Sequence, residues 1–252
     1  MSYTILISGA NSGLGLSLLE RYLSRPDTTV IATVRDPTKQ QSLHDIPKAS
    51  GSKLIIVKVE SRSDTDALEA VSSISNQGIN HLDVVIANAG YYTPPADPKV
   101  AKITAKDLLE HVDVNTAGPI RLFQATLPLL QKAEKPIFAY MSSMAGSIGA
   151  TGDVPFSAGV YGASKAASNF LVRRAHAEHP ELIIFAMHPG AVATVGALKV
   201  VESMGMADLV DNPDVFTTLE KSTTGMVERI DTATREETSG KFLSFDGSAL
   251  PW

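Results

Sequence analysis

The stretch "TILISGANSGLGLSLLERYL", residues 4–23, decides the fold. Three glycines, Gly9, Gly13 and Gly15, stand between a short apolar run and an amphipathic one. Glycine inside an element costs roughly 0.5–1 kcal/mol relative to alanine. A turn that carries three of them needs bare backbone. The apolar run reads as a strand and the amphipathic run as a helix. Between the two, glycine permits positive φ, lets a diphosphate approach the main chain and lets the helix pack close to the strand. The helix start then offers free N–H groups and a positive dipole end to phosphates. A glycine-rich turn alone requires no ligand, but at the end of a first strand this spacing points to dinucleotide binding.

Outward from that turn, β-branched runs alternate with helical patterns. "TILIS" (4–8), "TVIAT" (29–33), "KLIIVKV" (53–59), "DVVIAN" (83–88), "PIFAYMS" (136–142), "LIIFAMH" (182–188) and "KFLSF" (241–245) predict seven strands. Most are apolar throughout, as in strands covered on both faces. Helices are predicted over 13–24, 64–76, 105–131, 161–178 and 217–230, and irregular structure over 91–104 and 191–216. The alternation predicts an α/β fold: one domain, residues 1–252, built on a doubly wound seven-stranded parallel sheet with helices on both faces.

Composition narrows the function. Of 252 residues, 44% are apolar and 19% charged, and mean hydropathy is +0.05, ordinary for a globular chain. A net charge of −5 and no long basic stripe argue against a nucleic-acid partner. With no cysteine there is neither a disulfide nor a thiol nucleophile, which fits a reducing compartment. No apolar run approaches the ~20 residues of a membrane span, and Ile5–Ile7 is too short for a signal peptide. A cytoplasmic protein is expected. The histidines show no grouping that would hold a metal.

Tyr161 and Lys165 lie four apart in a predicted helix, so they share a face. A cation beside a phenol favours phenolate and lowers its pKa from about 10, which makes a proton donor and acceptor usable near neutral pH.

Six segments in order resemble one family. "SGANSGLG" (8–15) is similar to the cofactor loop of the short-chain dehydrogenases/reductases, with Ser8 in place of the usual threonine and Leu14 in place of isoleucine. "NAG" (88–90), "VNTAGP" (114–119), "SS" (142–143), "YGASK" (161–165) and "HPGAVAT" (188–194) follow in register. "TVRDP" (33–37), the long gap from Ser143 to Tyr161 and the ending "SGKFLSFDGSALPW" look like fungal norsolorinic-acid-ketoreductase-like or sniffer-type carbonyl reductases. The gap requires "SIGATGDVPFSAG" (147–159) to loop out.

The resemblance implies a Rossmann fold, a nicotinamide cofactor and a catalytic set of Ser143, Tyr161, Lys165 and Asn115. Tyr161 would give a proton to a carbonyl oxygen as hydride arrives, and Ser143, rather than its neighbour Ser142, would hydrogen-bond that oxygen. Lys165 would hold the nicotinamide ribose, and Asn115 would carry a proton relay through water. It implies cofactor contacts from Gly9, Asn11, Ser12, Gly13, Leu14, Gly15, Glu60, Asn88, Ala89, Gly90, Tyr161, Lys165, Pro189, Gly190, Val192 and Thr194. Arg35, at the end of the second strand, is the guanidinium a 2′-phosphate wants, so NADPH/NADP+ is expected. Asp36 stands one step later, before Pro37.

Substrate walls are expected from Tyr91 and Tyr92, the 144–160 loop and 195–216, where Met204 and Met206 could serve a flexible lid or merely belong to surface helices. The family places a ketone or alcohol here, for this branch a bulky, aromatic polyketide-like ketone of secondary metabolism. Three activities stay open: an NADPH-dependent ketoreductase, a secondary-alcohol dehydrogenase working oxidatively, and a non-catalytic NADP-binding regulator. Helices 105–131 and 161–178 form dimer or tetramer faces in many relatives, while some carbonyl reductases are monomers.

Overall fold

The computed structural model describes residues 3–92, 99–153, 158–203, 205, 207–212 and 215–252. Seven strands carry the molecule: β1 (Tyr3–Ser8), β2 (Thr28–Val34), β3 (Lys53–Lys58), β4 (Val84–Ala87), β5 (Ile137–Met141), β6 (Ile183–His188) and β7 (Phe242–Ser244). All pair in parallel, in the order β3-β2-β1-β4-β5-β6-β7. The helices are α1 (Gly13–Leu23), α2 (Gln41–His44), α3 (Asp66–Asn76), α4 (Ala105–Val112), α5 (Gly118–Leu130), α6 (Gly159–Glu178), α7 (Val195–Ser203) and α8 (Leu219–Asp231). Among the described residues, no helix is long and apolar enough to cross a membrane.

Strand alternation builds two cores. Ile5, Ile7, Val30, Ala32, Val84 and Ile86 face one way, onto Leu18, Leu19 and Tyr22 of α1 and onto Met226 and Ile230 of α8. Leu6, Ile31, Val85 and Ala87 face the other way, onto Ile74 of α3, Leu122 and Leu129 of α5 and Val172 of α6. Neighbouring side chains on a strand point to opposite faces, so an apolar run with no polar alternation belongs in a sheet covered twice. That is the doubly wound sheet the sequence predicts. Strand order reverses between β1 and β4, and in such sheets the crevice beyond the carboxyl ends of those strands receives ligand.

The single helix expected over 105–131 is interrupted. A wide π turn, Asp113–Ala117, separates α4 from α5. Pro119 supplies the reason: the α-helical donor to the Asn115 carbonyl would be the N–H of residue 119, and proline has none. Part of the irregular structure expected over 191–216 is regular instead: it holds α7 and a 3-10 turn, Ala207–Leu209. A second 3-10 turn, Val100–Lys102, lies in 91–104. Met204 and Met206, and residues 93–98 and 154–157 of the other two expected loops, lie outside the described residues.

Gly15 shows why the opening turn is glycine-rich. A Cβ there would collide with the Gly9 carbonyl oxygen and come within 2.6 Å of Asn88 Nδ2. Gly15→Ala is therefore expected to destabilise the cofactor-free protein by about 1–3 kcal/mol, the usual scale of overpacking. Urea unfolding reads this directly, and an unchanged midpoint would show that α1 shifts freely away from β4.

Candidate active site

The crevice is assembled from the ends of β1 and β4. Gly9 takes a φ of +64°, and its Cα lies so close to Ala89 that a Cβ would come within 3.1 Å of the Ala89 Cα. Asn88 Nδ2 donates to the carbonyls of Ser8 (2.8 Å) and Gly9 (3.3 Å), and the Ala89 N–H donates to Ser8 Oγ at 2.9 Å. The side chain of Asn88 thus joins two strands, and Ser8 has the same duty from the other side. Asn11 and Ser12 are exposed on the turn. Leu14 turns its side chain into the core. Ser12 occupies the N-cap of α1 in extended conformation without a side-chain cap, and no acid stands in the first turn. The helix start faces the crevice uncapped. Thr194 reaches it from the other bank, where a Cβ on Gly13 would come within 3.2 Å of the Thr194 methyl.

At the end of β2, Arg35 is exposed, and among the described residues its side chain has no hydrogen bond or ion pair. Asp36 is occupied. Its carboxylate accepts from the Thr38 N–H (3.1 Å) and Oγ1 (2.6 Å) and pairs with Lys39 at 3.0 Å. Glu60 lies two residues beyond the end of β3, because the ladder with β2 stops at Lys58. Glu60 accepts the Arg62 N–H at 3.3 Å, while its own N–H donates to Asp66. Asp66 is the buried acid of this corner. Burial favours its neutral form, but hydrogen bonds from the Glu60 N–H, Ser63 and Lys58 outweigh that and hold its pKa below the ordinary value.

Beyond β5 the two adjacent serines separate. Ser142 is buried and donates to Asn169 Oδ1 at 2.6 Å. Ser143 is partly open; its hydroxyl caps a 3-10 turn, Met144–Gly146, and hydrogen-bonds Tyr161. Asn169 also donates to the Gly146 carbonyl, so α6 holds the turn that follows Ser143. His188 Nδ1 accepts the Met144 N–H at 3.2 Å and holds that turn from β6. Burial pushes the His188 pKa down to about 4, against the pull of Asp246, and the ring stays neutral.

Tyr161 and Lys165 share a face of α6, with Lys165 Nζ 5.7 Å from the Tyr161 ring centre. The expected charge effect is reversed, however. Burial raises the Tyr161 phenol to about 12, over the opposing hydrogen bond from Ser143, with the phenol of Tyr92 adding to the rise. The reason lies in Lys165, which is 2% exposed. Burial lowers its pKa from 10.5 to about 7, so the ammonium is itself disfavoured. Its Nζ donates to the Met141 carbonyl at 2.7 Å.

Asn115 is fully buried in the π turn. Its Oδ1 accepts the Tyr91 N–H at 2.7 Å, and its Nδ2 donates to the Tyr91 carbonyl (2.8 Å) and to Ser164 Oγ (3.0 Å). Its main-chain carbonyl accepts from Tyr140 Oη (3.0 Å) and Ser168 Oγ (2.6 Å). A carbonyl has two lone pairs, so the main-chain carbonyl has a donor on each, while Oδ1, with one donor, keeps a second lone pair. Gly90 lies beside both groups: a Cβ there would stand 3.6 Å from Asn115 Oδ1 and 3.7 Å from Lys165 Nζ.

Pro189, Gly190, Val192 and Thr194 form the far bank. Ser222 of α8 donates to the Pro189 carbonyl at 2.6 Å, the Thr217 N–H to the Ala191 carbonyl, and Val192 bridges Thr217. Tyr91 and Tyr92 pack with His111 beside Tyr161: the Tyr92 ring meets Tyr161 edge-on at 4.8 Å, and Tyr91 lies 4.9 Å from His111. Tyr140, Ser168, Asn169 and Ser222 escaped the sequence reading, since each acts through a contact between distant segments; Asp66 escaped it too, although its partners Lys58, Glu60 and Ser63 are near in sequence. Only Pro119 left a local trace, the missing donor.

Three comparisons agree with this geometry. The sequence profile described as short chain dehydrogenase matches residues 3–204. The chain is 44% identical to a short chain dehydrogenase, gsfK, of Penicillium aethiopicum, with all of both chains covered. It is 39% identical to the norsolorinic acid ketoreductase of Dothistroma septosporum over 99% of this chain and 92% of that one. The NADPH-bound carbonyl reductase from chicken fatty liver superposes with a TM-score of 0.84 at 29% identity, covering 100% and 99% of the two chains. The chain belongs to the short-chain dehydrogenase/reductase family.

Proposed function

We propose that this oxidoreductase is an NADPH-dependent ketoreductase of the cytoplasm, acting on a bulky, aromatic polyketide-like ketone. The observation that carries the reading is the hydrogen-bonded pair of Ser143 and Tyr161, with Lys165 on the same helix face at the mouth of the β1/β4 crevice. The crevice fits a dinucleotide: an uncapped helix start, a turn that admits no Cβ at Gly15, and an exposed guanidinium with no partner among the described residues. The reductase name of the ketoreductase relative and the aromatic wall of Tyr91, Tyr92 and His111 support the substrate class.

When bound, the cofactor supplies a hydride to the carbonyl carbon. The Tyr161 hydroxyl donates its proton to the carbonyl oxygen, and a phenol raised to about 12 holds that proton at any physiological pH. Ser143 Oγ hydrogen-bonds the oxygen where negative charge develops, a fixed-dipole contribution of the kind that often dominates catalysis. Lys165 holds the nicotinamide ribose. Asn115 positions Tyr91 and α6 through its amide, and in this reading it carries the proton relay through water. Arg35 takes the 2′-phosphate because Asp36, already bound to Thr38 and Lys39, does not compete.

Tyr161→Phe is expected to retain NADPH binding and to lose about 10²–10⁴-fold in turnover, the usual worth of general acid catalysis. Titration of NADPH fluorescence beside steady-state reduction of a generic diketone separates the two quantities. A variant keeping roughly a tenth of wild-type kcat would remove Tyr161 as the acid. For Arg35→Ala, the affinity for NADPH should fall several-fold while that for NADH stays nearly unchanged. Equal losses would show that Arg35 does not meet the 2′-phosphate.

Lys165 gives a test that needs no turnover. Its folded pKa, about 7, lies below its ordinary 10.5, so the unfolded chain binds the extra proton between those values. Stability therefore rises with pH across that window: the penalty for the buried ammonium is full below about 7 and gone above about 10.5. Lys165→Met removes the group. Its urea midpoint relative to wild type should be higher at roughly pH 6 than at roughly pH 9. A difference that does not change with pH would mean Lys165 is solvated in the cofactor-free protein.

A further inference from the structure

Lys165 has a second aromatic neighbour that no family motif assigns. Tyr140, on β5, is fully buried, and Lys165 Nζ lies over its ring at 4.9 Å, nearer than the 5.7 Å to Tyr161. Its hydroxyl donates to the Asn115 carbonyl at 3.0 Å, the carbonyl that Pro119 leaves without a helical donor. Ring and hydroxyl thus act on the two sides of the same centre. The hydroxyl bond fixes the ring against the π turn, and the ring presents its negative face to the ammonium.

Several elements face Lys165. β5 contributes Tyr140 and the Met141 carbonyl, α6 contributes Tyr161, the 3-10 turn contributes the backbone of Gly146, and the end of β4 with the π turn contributes Gly90 and Asn115. No carboxylate pairs with Lys165 among them. We propose that Tyr140 is a positioning residue for Lys165, its ring supplying the stabilisation of the buried ammonium that an acid supplies elsewhere. The consequence for catalysis rests on the ketoreductase reading above, in which Lys165 anchors the ribose. The ring contact itself does not.

The mechanism predicts a graded response, because a cation–π attraction follows the electron density of the ring. Tyr140→Phe, and then phenylalanines carrying one and three ring fluorines at position 140, are nearly isosteric and strip that density in steps. The readout is the pH titration of the Lys165 side chain by NMR in the cofactor-free, full-length protein with isotopically labelled lysine, the resonance assigned by its loss in Lys165→Met. The Lys165 midpoint should fall step by step, by about 0.5–1.5 pH units in total. A purely structural ring would leave it in place. A midpoint that stays fixed along the series, or rises, overturns the proposal. NADPH affinity measured against pH then separates the two readings. If the NMR midpoint falls with fluorination while the pH dependence of affinity does not follow, the ring contact stands and the ribose role of Lys165 is lost.

Discussion

The joining of β1 to β4 is the constraint on which the rest of the molecule depends. These strands are neighbours in space but separated in sequence by two strands and three helices. At their carboxyl ends the sheet changes direction, leaving carbonyls of Ser8 and Gly9 beyond the regular ladder. Asn88 takes up both with one amide, and Ser8 Oγ takes up the Ala89 N–H in return. Buried polar groups left unpaired would cost about 1–3 kcal/mol each. The price of this closure is space: Gly9 and Gly15 are bare because the two chains approach to van der Waals distance. The same closeness brings Gly90 to the side of Lys165 and Asn115.

Burial, not charge, governs the centre. Tyr161 and Lys165 are both pushed toward their neutral forms, the phenol up to about 12 and the amine down to about 7. The simple argument that an ammonium lowers a nearby phenol assumes a solvated cation. Here the cation is buried more deeply than the phenol, which stays partly open. A protonated phenol beside an amine that titrates near neutrality is a proton donor with a replenishable neighbour. In the proposed reduction the phenol would give up that proton in each turnover. The hydrogen bond from Ser143 is the opposing influence, favouring phenolate once the proton has gone.

Much of the fold was legible because period and punctuation are local. Apolar runs such as "DVVIAN" carry no alternation, and a strand covered on both faces needs none. All seven strands lie where the runs are. The turn at Gly9–Gly15 was legible for the same reason, and the order of the segments placed Ser143 just beyond β5 and Tyr161 and Lys165 on α6, whereas Asn115, expected inside one long helix, lies in the π turn. Three things were not legible. The break in 105–131 hides inside a continuous helical pattern, since a single π turn shifts the apolar spacing by only one residue. The helix Val195–Ser203 has no buried residue, so no face marks it. The lowered pKa of Lys165 comes from its burial, which only the folded chain brings about.

Pro119 links these scales. One missing N–H leaves one carbonyl without its helical partner, four residues earlier, on the residue whose side chain reaches Tyr91. That carbonyl is fully buried, so it requires donors. Tyr140 from β5 and Ser168 from α6 provide them. Each donor brings its element against the π turn: β5 ends one residue beyond Tyr140, where Met141 holds the Lys165 ammonium, and α6 carries Lys165 itself. A backbone defect on one helix thereby fixes the relative positions of the strand end that precedes Ser143 and the helix that bears Tyr161. The defect is an organising element because the groups it recruits are those that flank the chemistry.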